Sequence, residues 1–242
     1  IRDRLRSRGL GDVYKRQGII FVEGISEAIL LPEIAKILDR PLEKYAVELV
    51  NVDSVAFSPF VNLFSSQNVQ TCFSKVAIVT DDDRCTKKSE TNYINKDFDY
   101  DDVNSDISGK LLSGTPSERC NELETSCRAV GINVFKATKT LEYALCCDEN
   151  NIEYFIEAIK SEYSQLGPAL EQKVNSLHDM NEKAACVWLF IRAREKCKGA
   201  IAQYISQIIK KQCEMRKRGE NIEKEFVIPD YLKEAVYCVT ER

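Results

Sequence analysis

Two apolar runs that end in acid constrain this chain more than any other feature. Residues 18–22 read GIIFV and are followed at once by Glu23 and Gly24. Residues 76–80 read VAIVT and are followed by Asp81, Asp82 and Asp83. Short runs rich in Val and Ile are the pattern of strands buried on both faces of a parallel sheet. In an open α/β sheet the ligand crevice lies at the carboxyl ends of such strands. Two strands that both end in carboxylates therefore gather negative charge at one edge of the sheet. Carboxylates so placed repel one another unless a cation lies between them. Oxygen-rich clusters of this kind are the usual seat of Mg²⁺ or Mn²⁺.

The pattern along the chain fits this frame. A helix follows the first run, with Ser26 as its N-cap and Ala28, Ile29, Leu31, Ile34, Ala35 and Leu38 as its apolar face; Pro32 either kinks it or begins its main body. A second strand is predicted over 47–52, and a short helix over 56–64, interrupted by Pro59. The third strand is 76–80. Residues 84–114 are polar and read as a long loop, which is more often functional than structural. A helix over 117–130 follows, with Pro116 just inside its start and Gly131 as its stop. Strand four is 133–136. From Leu141 onward the pattern is helical, with Ile201, Tyr204, Ile205 and Ile208 at helical spacing and a last helix over 231–239. Strand–helix alternation implies a parallel sheet with right-handed crossovers. The predicted class is α/β: a parallel β-sheet flanked by helices, with a helical C-terminal extension.

Composition excludes several alternatives. No apolar stretch in the 242 residues approaches the roughly 18–20 needed to cross a bilayer, so no membrane role is expected. The ten cysteines contain no C-x-x-C pair and are accompanied by a single histidine, His178, which reads as a surface residue. Cys120 and Cys127 share a helical face with Leu123 and Val130, as small core hydrophobes would. Reduced thiols in a cytoplasmic protein are the expectation, and a zinc site is not. Residues 1–17 carry six basic and two acidic side chains, +4; the whole chain is at −4, so the remainder carries −8. This segment resembles a leader read through from sequencing adapters and is set aside as non-native. On that reading the natural protein extends further upstream.

A strand ending in Glu-Gly, a helix, and a later strand ending in Asp-x-Asp resemble the Toprim pattern of topoisomerases, primases and nucleases. Here the motifs are Glu23-Gly24 and Asp81-Asp82-Asp83. VEGISEAILLPEIA is similar to the form found in the OLD (overcoming lysogenization defect) family, with a second glutamate, Glu27, four residues on. KTLEYAL resembles that family's Ser/Thr-x-Glu element and places Thr140 and Glu142. KGAIAQYIS resembles its late Lys-Gly helix and places Lys198, and IPDYLKEAV resembles its closing stretch. The likeness spans residues 18–240.

The resemblance implies a Toprim catalytic domain over 18–145 and a helical subdomain over 146–242. It also implies DNA as substrate, two Mg²⁺ or Mn²⁺ ions, and an ABC-type ATPase domain upstream; no Walker motif occurs in this chain. Glu23, Asp81 and Asp83 would hold the first metal. Glu27 and Glu142, with Thr140, would hold the second, Asp81 bridging. Lys198 would stabilise charge on the phosphate. Asp82 reads as a bystander on the other face of the pleat. The net negative charge leaves DNA affinity to local basic stretches such as Lys210-Lys211, to the ATPase half or to a homodimer. Three other readings stand beside this one: a HAD-like phosphatase, a receiver-like cation-binding module, and a Toprim scaffold without catalysis.

Overall fold

The computed structural model describes residues 17–64, 73–87, 93–94 and 98–241. The leader predicted over 1–17 falls, but for Gln17, outside them. Four parallel strands form one sheet in the order β2-β1-β3-β4: β1 Gln17–Val22, β2 Val47–Asn51, β3 Phe73–Asp81 and β4 Asn133–Ala137. Between them run α1 Ile25–Ile37, α2 Ser58–Leu63, α3 Ser105–Ser113 and α4 Glu118–Ala129. After β4 come α5 Leu141–Cys146, α6 Glu149–Glu162, α7 Leu166–Ser176, α8 Met180–Arg192, α9 Lys198–Lys217 and α10 Asp230–Thr240. The α/β class and the helical extension predicted from the sequence are both present.

Alternation along the central strands explains the layering. Ile20 and Val22 of β1 and Ala77 and Val79 of β3 face one core, which α1 and helices α5–α10 complete. Ile19, Phe21, Val76 and Ile78 face a smaller core, closed by Val61 of α2, Leu123 and Cys127 of α4, and the flanking Phe57 and Phe64. Both faces are covered, which is why the two runs are apolar throughout rather than alternating. Helix α10 lies directly on the sheet. A Cβ on Gly18 would meet the Val239 carbonyl at 3.0 Å, so a side chain there would have to push α10 slightly away from β1. Buried residues before and after position 145 belong to the same core.

The elements differ from the sequence reading in five local respects. Helix α1 starts at Ile25 with Gly24 as an N-cap that makes no side-chain bond, while Ser26 lies buried inside the first turn. Pro32 sits within that helix, which is continuous through it. Pro59 lies in the first turn of α2, where its missing N–H costs nothing, so it starts that helix instead of interrupting it. Pro116 precedes the N-cap Ser117 rather than standing inside α4. The polar stretch after Arg84 also holds α3, capped by the Asn104 side chain on Asp106 and Ile107 N–H. Ile107 and Leu111, one turn apart, give this helix its only strong anchors, too sparse a stripe to stand out in the sequence.

Candidate metal centre

The ends of β1 and β3 and the turn after β4 converge. Glu23 follows β1, and its Oε2 accepts from Thr80 Oγ1 at 2.5 Å and from Asp81 N at 3.3 Å. Asp81 closes β3 on the face shared with Ala77 and Val79, and its Oδ1 accepts from Leu141 N at 2.8 Å. That bond fixes the start of α5 against the end of β3. Thr140 is the N-cap of α5, its Oγ1 accepting from Tyr143 N at 3.3 Å. Glu142 then falls in the first turn of α5, where the helix dipole favours an acid.

These pieces line a cavity of about 500 Å³, with Glu23, Asp81, Asp83, Thr140, Glu142 and Lys198 in its wall. Lys198, at the first position of α9, brings Nζ to 3.6 Å from Glu142 Oε1. Glu27 is buried behind the wall, in the first turn of α1. All seven residues singled out in the sequence thus fall in one region. Asp82 turns away, as the pleat predicts. It is buried and accepts from Arg84 Nε at 2.8 Å and from Lys139 N at 2.9 Å, which makes it the clasp between the β3 and β4 turns.

The electrostatics are those of a site with too much negative charge. Burial first, then the neighbouring Glu142 and Glu23 carboxylates, push the Glu27 carboxyl up to about 7, against the opposing pull of its own backbone N–H and of Lys198. Burial, then Glu27, Glu142, Glu23 and Asp83, hold Asp81 well above the usual carboxylate range. The Tyr231 hydroxyl on α10, buried without a hydrogen-bond partner, is pushed well up by burial and by Asp81, Glu27 and Glu142. A cation bound among these groups would offset both burial and repulsion. The donor set fits a hard divalent ion: the acidic and hydroxyl groups offer only oxygen, and among the described residues neither Cys nor His lines the cavity. Among the described residues no three His, Cys, Asp or Glu side chains stand in metal-ligand geometry. The carboxylates are engaged instead by Thr80, by backbone N–H groups and by Arg119.

Four contributors escaped the sequence reading. Arg119, in the first turn of α4, donates to Asp83 Oδ2 at 2.6 Å and to the Asp81 carbonyl at 3.1 Å. Lys139 is buried in a left-handed conformation, φ 66°, and donates to the Arg84 carbonyl at 2.6 Å. Trp188 and Arg192 of α8 line the cavity one turn apart, and the Lys139 ammonium lies 5.1 Å from the Trp188 ring centre. Lys139 adjoins Thr140 in KTLEYAL and could have been found there. The other three arrive by tertiary packing and carry no local signal.

The fold and the site define a Toprim-type module: a four-stranded parallel sheet with carboxylates at adjacent strand ends and a helical extension packed onto the same core. Residues 17–83 match the family model described as "Overcoming lysogenization defect protein-like, TOPRIM domain". The same architecture occurs in the C-terminal region of the Xanthomonas campestris pv. campestris OLD protein, with TM-score 0.54 and 20% identity over 96% of this chain and 95% of that one. It occurs also in the C-terminal region of the Burkholderia pseudomallei OLD protein, with TM-score 0.51 and 19% identity over 93% and 97%. At these identities the likeness is one of fold. No curated protein sequence matches the chain. Among the described residues no helix is long and apolar enough to cross a membrane.

Proposed function

We propose that this module is a metal-dependent DNA endonuclease that nicks its substrate by hydrolysing a phosphodiester bond. One observation carries the reading: four carboxylates, Glu23, Asp81, Asp83 and Glu142, line one cavity from three separate turns, with a fifth, Glu27, buried behind its wall. Nothing in the packing of the fold requires so costly an arrangement, and charge-burying clusters of this kind belong to functional sites. Glu23, Asp81 and Asp83 would hold one Mg²⁺ or Mn²⁺; Glu27, Glu142 and Thr140 would hold a second, Asp81 serving both. When bound, such a pair supplies a more acidic water and neutralises charge on the attacked phosphate and the leaving oxygen.

The chain's own residues do the rest. Asp81, tied to Leu141 N, and Glu23, tied to Thr80, keep fixed positions at the strand ends. Lys198 stands at the cavity wall and directs its charge where negative charge grows in the transition state. Lys139 and Arg192 add positive charge along the same wall, suited to a polyanionic backbone. The DNA, the upstream ATPase half and a homodimer are the partners this reading implies, in the cytoplasm. A plasmid-nicking assay in Mg²⁺ and in Mn²⁺ tests it. Nicking is expected from the wild-type chain and not from Asp81→Ala; nicking that survives the substitution overturns the assignment.

A further inference from the structure

Arg119 has no helical reason to be where it is. It occupies the first turn of α4, just after the N-cap Ser117, where the positive end of the helix dipole disfavours a cation. What holds it there lies outside the helix. Ser117 N donates to the Asp82 carbonyl at 2.8 Å, which pins the start of α4 against the turn after β3. The guanidinium then reaches across that turn. One nitrogen, Nη2, lies 2.6 Å from Asp83 Oδ2 and 3.8 Å from Glu23 Oε2. It therefore sits between two carboxylates from different strand ends. The other terminal nitrogen, Nη1, is buried and makes no hydrogen bond. An arginine serving only as a structural brace ordinarily satisfies its buried donors.

We propose that Arg119 is a built-in counter-cation: in the metal-free protein it holds the place between Glu23 and Asp83 that a divalent ion takes, and it withdraws when the ion binds. The inference rests on the metal-dependent reading above. Two cations cannot share that space. A divalent ion needs the oxygens of Glu23 and Asp83 that now face the guanidinium, and its charge would repel Arg119 at contact distance. In the metal-free state Arg119 relieves the repulsion among the acids. Metal binding must therefore displace it, and the displacement weakens apparent affinity by the reciprocal of the fraction of molecules in which Arg119 is disengaged. Arg119 is accordingly a positioning residue: it sets how tightly the site takes its metal and keeps the carboxylates spaced until it does.

Calorimetric titration of the full chain with Mn²⁺ tests this on the wild type and on Arg119→Met. If Arg119 is engaged in about nine-tenths of metal-free molecules, its removal tightens apparent Mn²⁺ affinity about tenfold. The same variant should melt below the wild type without metal, and the gap should close at saturating Mn²⁺. Unchanged or weaker Mn²⁺ affinity in a folded Arg119→Met overturns the proposal. Should that variant fail to fold, the wild type still decides. The Arg119 guanidinium NMR signal, identified by its loss in Arg119→Lys, should shift on saturation with Mg²⁺, and a signal that stays in place overturns the proposal. A wild-type chain that binds neither ion brings down the metal-dependent reading itself, an outcome distinct from metal binding that is indifferent to Arg119.

Discussion

Lys198 is the residue whose role differs most between a catalytic and a merely solvated reading. Its ammonium stands 3.6 Å from Glu142 in the cavity wall. Lys198→Ala should lower the single-turnover nicking rate by about 10²–10³-fold while leaving metal and DNA binding nearly unchanged. A rate within about threefold of wild type would remove it from the site, since surface changes fall within about 0.5 kcal/mol. Asp82, beside the site, should behave in the opposite way. Its buried carboxylate answers Arg84 and the Lys139 N–H, so Asp82→Ala leaves a partly buried cation and a backbone N–H without their partner and should cost about 2–3 kcal/mol in urea unfolding. Glu23, Asp81 and Asp83 were legible from the sequence because they follow apolar strands, whereas Glu27 and Glu142 were singled out through the family resemblance. Arg119, Trp188 and Arg192 were not, because nothing near them in the chain marks what they face.

At the scale of elements, strands were easier to read than helix ends. Four apolar runs gave four strands, and their separation by helices gave the parallel order. Helix α3 was lost to the loop reading because its pattern holds two strong apolar anchors and many polar residues. Caps were misplaced where the backbone, not a side chain, does the capping, as at Gly24. The segment between α9 and α10 could not be placed at all from local pattern. It is held by two buried amides from other helices. Asn151 of α6 donates to the Leu145 and Val227 carbonyls and accepts from Val227 N, and Gln212 of α9 accepts from Phe226 N at 2.9 Å. Asn151→Leu should strand those backbone groups and cost about 2–3 kcal/mol. Thermal melting should show it, and a shift under about 2 °C would mean water replaces the amide at little cost.

For the molecule as a whole, the sequence suggested a Toprim part to 145 and a helical part from 146. The packing joins them. Leu145 and Cys146, on the two sides of that boundary, sit in the same core as Val22 and Val79 of the sheet and Trp188 and Ile205 of the extension. Residues 18–145 expressed alone should therefore show no cooperative melt by circular dichroism, whereas the full chain should. A sharp transition in the shorter piece would show that the sheet folds without its helices. Burial also pushes the Cys127 and Cys186 thiols up to about 12. At pH 8 they stay protonated, so iodoacetamide should leave them unlabelled in the native chain and react only after denaturation. Rapid native labelling of either would indicate local opening of its core.

The pairing of β1 with β3 has a consequence for how such a chain can change over time. Val22 lies opposite Val79, so Glu23 and Asp81 emerge from neighbouring rungs of one hydrogen-bonded ladder. The spacing of their backbones follows from the interstrand repeat of about 4.8 Å and a one-residue offset along the strands, properties of the backbone that no side chain supplies. Core side chains can be exchanged for others of similar volume while the two carboxylates keep their distance. The interior can thus drift in sequence so long as its volume and patterning are kept, and an architecture shared at about one identical residue in five follows naturally.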